Sequence, residues 1–213
     1  MAKQIILIGG MPTAGKSTMA ERLSRHLKLP WISTDQIGII LRAVATRETY
    51  PKLFTWEDYD GFQYLNEYTA DEIADNEFAN GAAVWLGVRK LIKDDYTCNN
   101  GIVIEGCGIL PRLVARDFSD ASNVKSVFIG DHDIERVRTV VFTRNFVGDD
   151  ASAYPDSVKE KEVAWVLNYG EKLKSQALTY KMPWVEVEKN EHDLAKVLTA
   201  LGLSYQLSSK GVH

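Results

Sequence analysis

The residues Gly10-Met11-Pro12-Thr13-Ala14-Gly15-Lys16-Ser17 match the pattern G-x-x-x-x-G-K-[ST] at every fixed position. The context agrees: the apolar run Gln4 to Ile8 predicts a buried strand entering the loop. Met19, Leu23 and Leu27 recur every four residues and predict a helix leaving it, from about Gly15 to Leu27 and closed by Pro30. Glycines let successive backbone N–H groups turn inward around phosphate oxygens, and the helix N-terminus adds partial positive charge. Lys16 is placed to reach the β and γ phosphates of a nucleoside triphosphate, and Ser17 to put its hydroxyl on Mg²⁺. Thr18 completes the candidate nucleotide-binding set as a helix-packing or supporting neighbour. A dinucleotide fingerprint is a weak alternative, because Pro12 stands where G-x-G-x-x-G needs its second glycine.

Four further strands are expected. They are Trp31 to Thr34 ending at Asp35, Gly101 to Glu105, Val124 to Ile129, and Trp184 to Val187. Helical stretches separate them: Ile37 to Val44, Asp71 to about Lys93, a short helix from Pro111, a polar helix after Asp131, Ser157 to Leu178, and Glu191 to Leu201. Strands alternating with helices predict an α/β fold, a five-stranded, mostly parallel sheet flanked by helices. Residues 1–204 are expected to form one domain, with 205–213 a loose tail.

The chain has 213 residues, enough for one sizeable core. Its 25 basic and 29 acidic side chains give a net charge of -4, which supplies no global field for nucleic acid. Apolar runs are too short for a membrane span, so a cytoplasmic location is expected. Two cysteines, Cys98 and Cys107, have neither metal-ligand spacing nor the number for a disulfide framework.

The loop Gly10 to Ser17, the strand end Ile32-Ser33-Thr34-Asp35 with Arg42 beyond it, and the strand end Ile104-Glu105-Gly106 together resemble the P-loop small-molecule kinase superfamily. Within it they are similar to the group containing 2-phosphoglycerate kinase, chloramphenicol phosphotransferase and zeta-toxin-type kinases. The resemblance implies a P-loop NTPase fold with a helical substrate cap and a lid, ATP and Mg²⁺ as cofactors, and a small-molecule acceptor. It also implies that Asp35 activates or holds the acceptor hydroxyl. From the residues alone Asp35 is equally placed to cap the following helix. Glu105, emerging from a buried strand, would hold a magnesium-bound water, orient the acceptor or pair with a base. Similar kinases carry Asp-x-x-Arg after the second strand, but here that position is Gly38, and Arg42 is the nearest candidate anchor.

Residues 136–156 occupy the place of an arginine-bearing lid in such kinases. Arg136 and Arg144 are the candidate phosphate ligands there, about two helical turns apart. Residues 46–81 occupy the place of the acceptor-binding insert. Seven aromatic residues fall within the nineteen from Tyr50 to Tyr68, and from Glu48 to Val88 one lysine faces nine acids. Trp56 and Tyr59 are the candidate acceptor contacts. Such a wall favours a neutral or cationic acceptor with apolar surface, a nucleoside or antibiotic-like alcohol, over a phosphorylated acid; the aromatics also suit a small core of the insert itself. The expected activity is transfer of the ATP γ-phosphate to a hydroxyl by a monomer or homodimer. The alternatives are an NTP-hydrolysing regulator and a noncatalytic nucleotide sensor.

Overall fold

The computed structural model describes residues 3–94, 98–144 and 154–204. Its centre is β1 (Gln4–Gly10), flanked by β3 (Gly101–Glu105) and β4 (Val124–Gly130), with β2 (Trp31–Ser33) and β5 (Trp184–Glu186) at the edges. The order is β2-β3-β1-β4-β5 and every pairing is parallel. Helices cover both faces of such a sheet, which is why Ile5, Ile6, Leu7 and Ile8 are all fully buried without polar alternation. Burying each contributes roughly 1.5–3 kcal/mol.

The first helix, α1 (Lys16–Leu27), ends at Lys28, which takes the left-handed conformation and donates its N–H to Ser24. The chain therefore leaves the helix before Pro30. The second, α2 (Thr34–Val44), starts directly from β2, three residues earlier than its apolar pattern predicts. Ser33 is the cap: its side chain accepts from the Gln36 N–H while the Gln36 side chain accepts from the Ser33 N–H. Asp35 is thus relieved of the capping role and lies exposed in the first turn.

Residues 46–81 are more helical than expected. After a 3-10 turn at Pro51–Phe54 comes α3 (Gly61–Glu67), capped by Asp60 and Gln63, and then α4 (Ala70–Asp94). The remaining helices are α5 (Pro111–Phe118), α6 (Ile134–Thr143), α7 (Asp156–Thr179) and α8 (Asp193–Ala200). Phe78 of α4 stacks on Tyr169 of α7 with centroids 4.5 Å apart. Buried Trp85 donates its indole N–H to Asp117 at 2.6 Å. These contacts fix α4 to α7 and α5. No helix among the described residues is long and apolar enough to cross a membrane. The expected tail, and residues 145–153 of the expected lid, lie outside the described residues.

Candidate active site

The phosphate loop is held from beneath. Met11 is fully buried; its N–H donates to Ile129 O at 3.1 Å, and its sulfur accepts the Asp131 N–H at 3.2 Å. A Cβ on Gly9 would stand 2.4 Å from the Phe128 ring and 2.6 Å from the Ile109 carbonyl, so only glycine lets the loop leave β1 this closely. Thr13 (φ 67°) and Gly15 (φ 83°) are left-handed. For threonine that conformation costs on the order of 1–3 kcal/mol, a strain that turns the loop. The Thr13 hydroxyl is buried with no hydrogen-bond partner among the described residues, and α1 carries neither a side-chain cap nor an acidic first turn. Lys16 Nζ donates to Met11 O at 2.9 Å. A buried hydroxyl without a partner, an unopposed helix N-terminus and a lysine at the loop fit the phosphates of a nucleotide.

Glu105 closes the inner side. It is 3% exposed, and its Oε1 accepts the Ser17 hydroxyl at 3.0 Å. Burial pushes its carboxyl above the usual range; Lys16 and the Ser17 hydrogen bond pull it back, and Asp35 adds to the rise. Hydroxyl and carboxylate side by side are oxygen donors suited to Mg²⁺ or its water shell. Gly106 (φ 140°) then turns the chain so tightly that a Cβ there would lie 1.9 Å from Thr34 Oγ1. The same Thr34 hydroxyl accepts the Gly108 N–H at 3.3 Å. This clasp brings the start of α2, and with it Asp35, to the exit of β3.

A cavity of about 520 Å³ opens between the loop and residues 46–81, with Pro12 and Asp35 on the loop side and Trp56, Tyr59 and Tyr64 on the other. The Tyr64 ring lies 6.0 Å from that of Trp56 and 5.9 Å from that of Tyr59, edge-on or tilted. The aromatics therefore form both a small core and a cavity wall. Arg42 also lines the cavity, paired with Glu57 at 3.4 Å. Its Nη1 stands 3.3 Å from where a Gly38 Cβ would be, so its guanidinium lies against the α2 backbone at that position.

The two lid arginines separate. Arg144 lines the cavity and is bonded to the buried Glu162. Arg136 is bound by Asp131 at 2.9 Å and Asp133 at 2.9 Å and lies outside the cavity lining. α6 ends at Thr143, so the two-turn spacing does not carry both to one place. Arg138 pairs with Glu160 at 2.5 Å. Both cysteines are free thiols, and burial pushes Cys107 up to about 11.

Sequence reasoning missed Glu77, a half-buried residue of α4 that lines the cavity. Burial pushes its carboxyl up to about 8; the Asp35 charge adds to the shift and Lys16 opposes it. The signal was present: Ile73, Glu77, Gly81, Val84 and Val88 follow a helical period, so one carboxylate interrupts an apolar stripe. Its folded value lies above the ordinary value of 4.5, so the folded chain keeps a proton that the unfolded chain releases. Stability from this group is fully present below the lower value and is lost as pH rises through the upper one. Glu77→Gln is expected to raise Tm by about 2–4 °C or more at about pH 8.5 and to leave it nearly unchanged at about pH 4.5. Thermal melts at both pH values check this; equal shifts would mean that ionisation is not the cause.

No protein-family model matches the chain. It is 32% identical over 124 residues to 2-phosphoglycerate kinase of Methanothermobacter thermautotrophicus, covering 56% of this chain and 40% of that protein. With 2-phosphoglycerate kinase of Methanopyrus kandleri the figures are 26% over 143 residues, covering 66% and 43%. The chain thus spans less than half the length of these relatives. Mevalonate-3-phosphate 5-kinase of Thermoplasma acidophilum is 22% identical over 139 residues, 65% of this chain and 67% of that one. Among solved structures, shikimate kinase from Bacteroides thetaiotaomicron superposes with a TM-score of 0.54 at 14% identity, covering 94% of this chain and 99% of that one, which establishes the shared fold. The phosphate loop, the sheet order and these sequence matches make the chain a distant homologue of the P-loop small-molecule kinases, 2-phosphoglycerate kinase and mevalonate-3-phosphate 5-kinase among them.

Proposed function

We propose that the chain transfers the γ-phosphoryl group of ATP, with Mg²⁺, to a hydroxyl of a small molecule held in the cavity beside the phosphate loop. The observation that carries this is Asp35, an exposed carboxylate on the wall shared by the loop and the aromatic cavity. Residues 46–81 act as the acceptor-binding cap and 136–156 as the lid. The loop from Gly10 to Thr18 holds the phosphates, with Lys16 turning from Met11 O to the transferring group. Ser17 and Glu105 hold Mg²⁺, which when bound neutralises phosphate charge. Asp35 orients the acceptor hydroxyl and takes its proton as the oxygen bonds to phosphorus and ADP departs. Arg144 supplies positive charge from the lid side, whereas Arg136 acts through the Asp131 pair that supports the loop floor.

The walls made by Trp56 and Tyr59 favour an acceptor with apolar surface and no negative charge, such as a nucleoside or antibiotic-like alcohol. A second reading, a phosphorylated small acid, is favoured by Arg42 and Arg144 in the lining; to bind it, each would have to leave Glu57 or Glu162. An acceptor screen read by mass spectrometry tests the proposal. A mass gain of one phosphoryl group on an alcohol supports it, and ADP formation independent of every acceptor points instead to an NTP hydrolase.

A further inference from the structure

The cavity wall carries a charge imbalance that its own side chains leave uncorrected. Arg42 and Arg144 already meet Glu57 and Glu162. Asp60 is occupied as the cap of α3, accepting the Gln63 N–H at 2.7 Å. Asp35 and Glu77 line the same space, and neither forms a salt bridge among the described residues. The opposite wall is aromatic, and ring faces attract cations. A second, independent feature points to a ligand here: Trp165 lines the cavity at 6% exposure, and its indole N–H has no acceptor among the described residues. A buried donor of this kind calls for an oxygen supplied from within the cavity.

We propose, resting on the kinase reading above, that the acceptor is an alcohol carrying an ammonium group, seated among the rings of Trp56, Tyr59 and Tyr64 with Glu77 as its counter-charge. An oxygen of the acceptor receives the Trp165 N–H. The reacting hydroxyl lies toward Asp35; its oxygen forms the new bond to the γ-phosphorus as the bond to the β–γ bridging oxygen breaks, its proton passes to Asp35, and ADP leaves with the bonding electrons.

The groups that influence Glu77 set the direction of its pH response. Asp35 from α2 raises its proton affinity, Lys16 of α1 lowers it, and Cys107, Tyr64 and Tyr169 lie near enough to feel its charge. Without a cation Glu77 holds its proton up to about 8. An ammonium ligand must expel that proton, so its binding tightens as pH rises toward this value. A neutral ligand has no such requirement.

The test uses probes of fixed charge. Choline and a benzyl-bearing quaternary ammonium alcohol are each compared with the uncharged isostere in which carbon replaces nitrogen. Binding to the full chain is read by tryptophan fluorescence, since Trp56 and Trp165 line the cavity. In at least one pair the ammonium member is expected to bind about 10-fold tighter than its twin at about pH 8.5, and the preference to fall about 10-fold by about pH 6.5. Glu77→Gln abolishes both effects; should that variant not fold, the pH dependence of the wild-type chain decides. Equal or better binding of both neutral twins, no binding by any probe, or a preference intact in a folded Glu77→Gln overturns the proposal. Phosphorylation of a neutral or phosphorylated alcohol would leave the kinase reading standing while removing this one. Absence of transfer to every acceptor, with cation binding intact, would remove the kinase reading and the acceptor role with it, leaving only a cation site at Glu77.

Discussion

Lys16→Ala is expected to lower kcat/KM for acceptor phosphorylation by about 10³-fold or more, roughly 4 kcal/mol of lost transition-state stabilisation. The Lys16 ammonium lies at the mouth of the loop, hydrogen-bonded to Met11 O at 2.9 Å, and it acts on both Glu105 and Glu77. Removing it takes away a positive charge where negative charge shifts between phosphate oxygens, and leaves carboxylates there instead. Steady-state turnover with any accepted alcohol checks this, with melting curves to confirm folding. Normal turnover would remove Lys16 from the catalytic set.

Asp35→Asn is expected to retain ATP binding and to lose about 10²- to 10⁴-fold in transfer, the range for a positioned general base. The substitution preserves shape, and the α2 cap is unaffected because Ser33 and Gln36 supply it. A fall in kcat with unchanged nucleotide affinity therefore isolates the proton-accepting role. Undiminished acceptor-dependent turnover would assign that role elsewhere, with Glu77 and Glu105 the neighbouring carboxylates.

Much of the fold was legible because the signals were local. The all-apolar run Ile5 to Ile8 could only be buried on both faces, and the loop pattern specified a strand before it and a helix after it. Helix starts were less legible. The Ser33–Gln36 and Asp60–Gln63 capping boxes are written in the sequence, yet the apolar pattern placed α2 too late, and the dense aromatics concealed α3. The site divides along the same line. Asp35, in the first turn of α2, and Glu105, at the end of β3, could be placed near the loop from sequence because a parallel sheet presents its carboxyl ends to one crevice. The arginines could not be resolved, since their roles depend on partners distant in sequence. Arg42 meets Glu57, Arg144 meets Glu162, and Arg136 meets an Asp131 that is itself buried by the loop floor. Glu77 escaped because a single carboxylate among the many acids of residues 46–81 reads as surface unless it is set against the apolar stripe of Ile73, Val84 and Val88.

Transfer to a second molecule rather than to water is read by following γ-labelled ATP with and without candidate alcohols. Label is expected in an organic acceptor in step with ADP, and Asp35→Asn is expected to suppress it. Label appearing only as inorganic phosphate, at one rate whether or not an acceptor is present, would contradict such transfer.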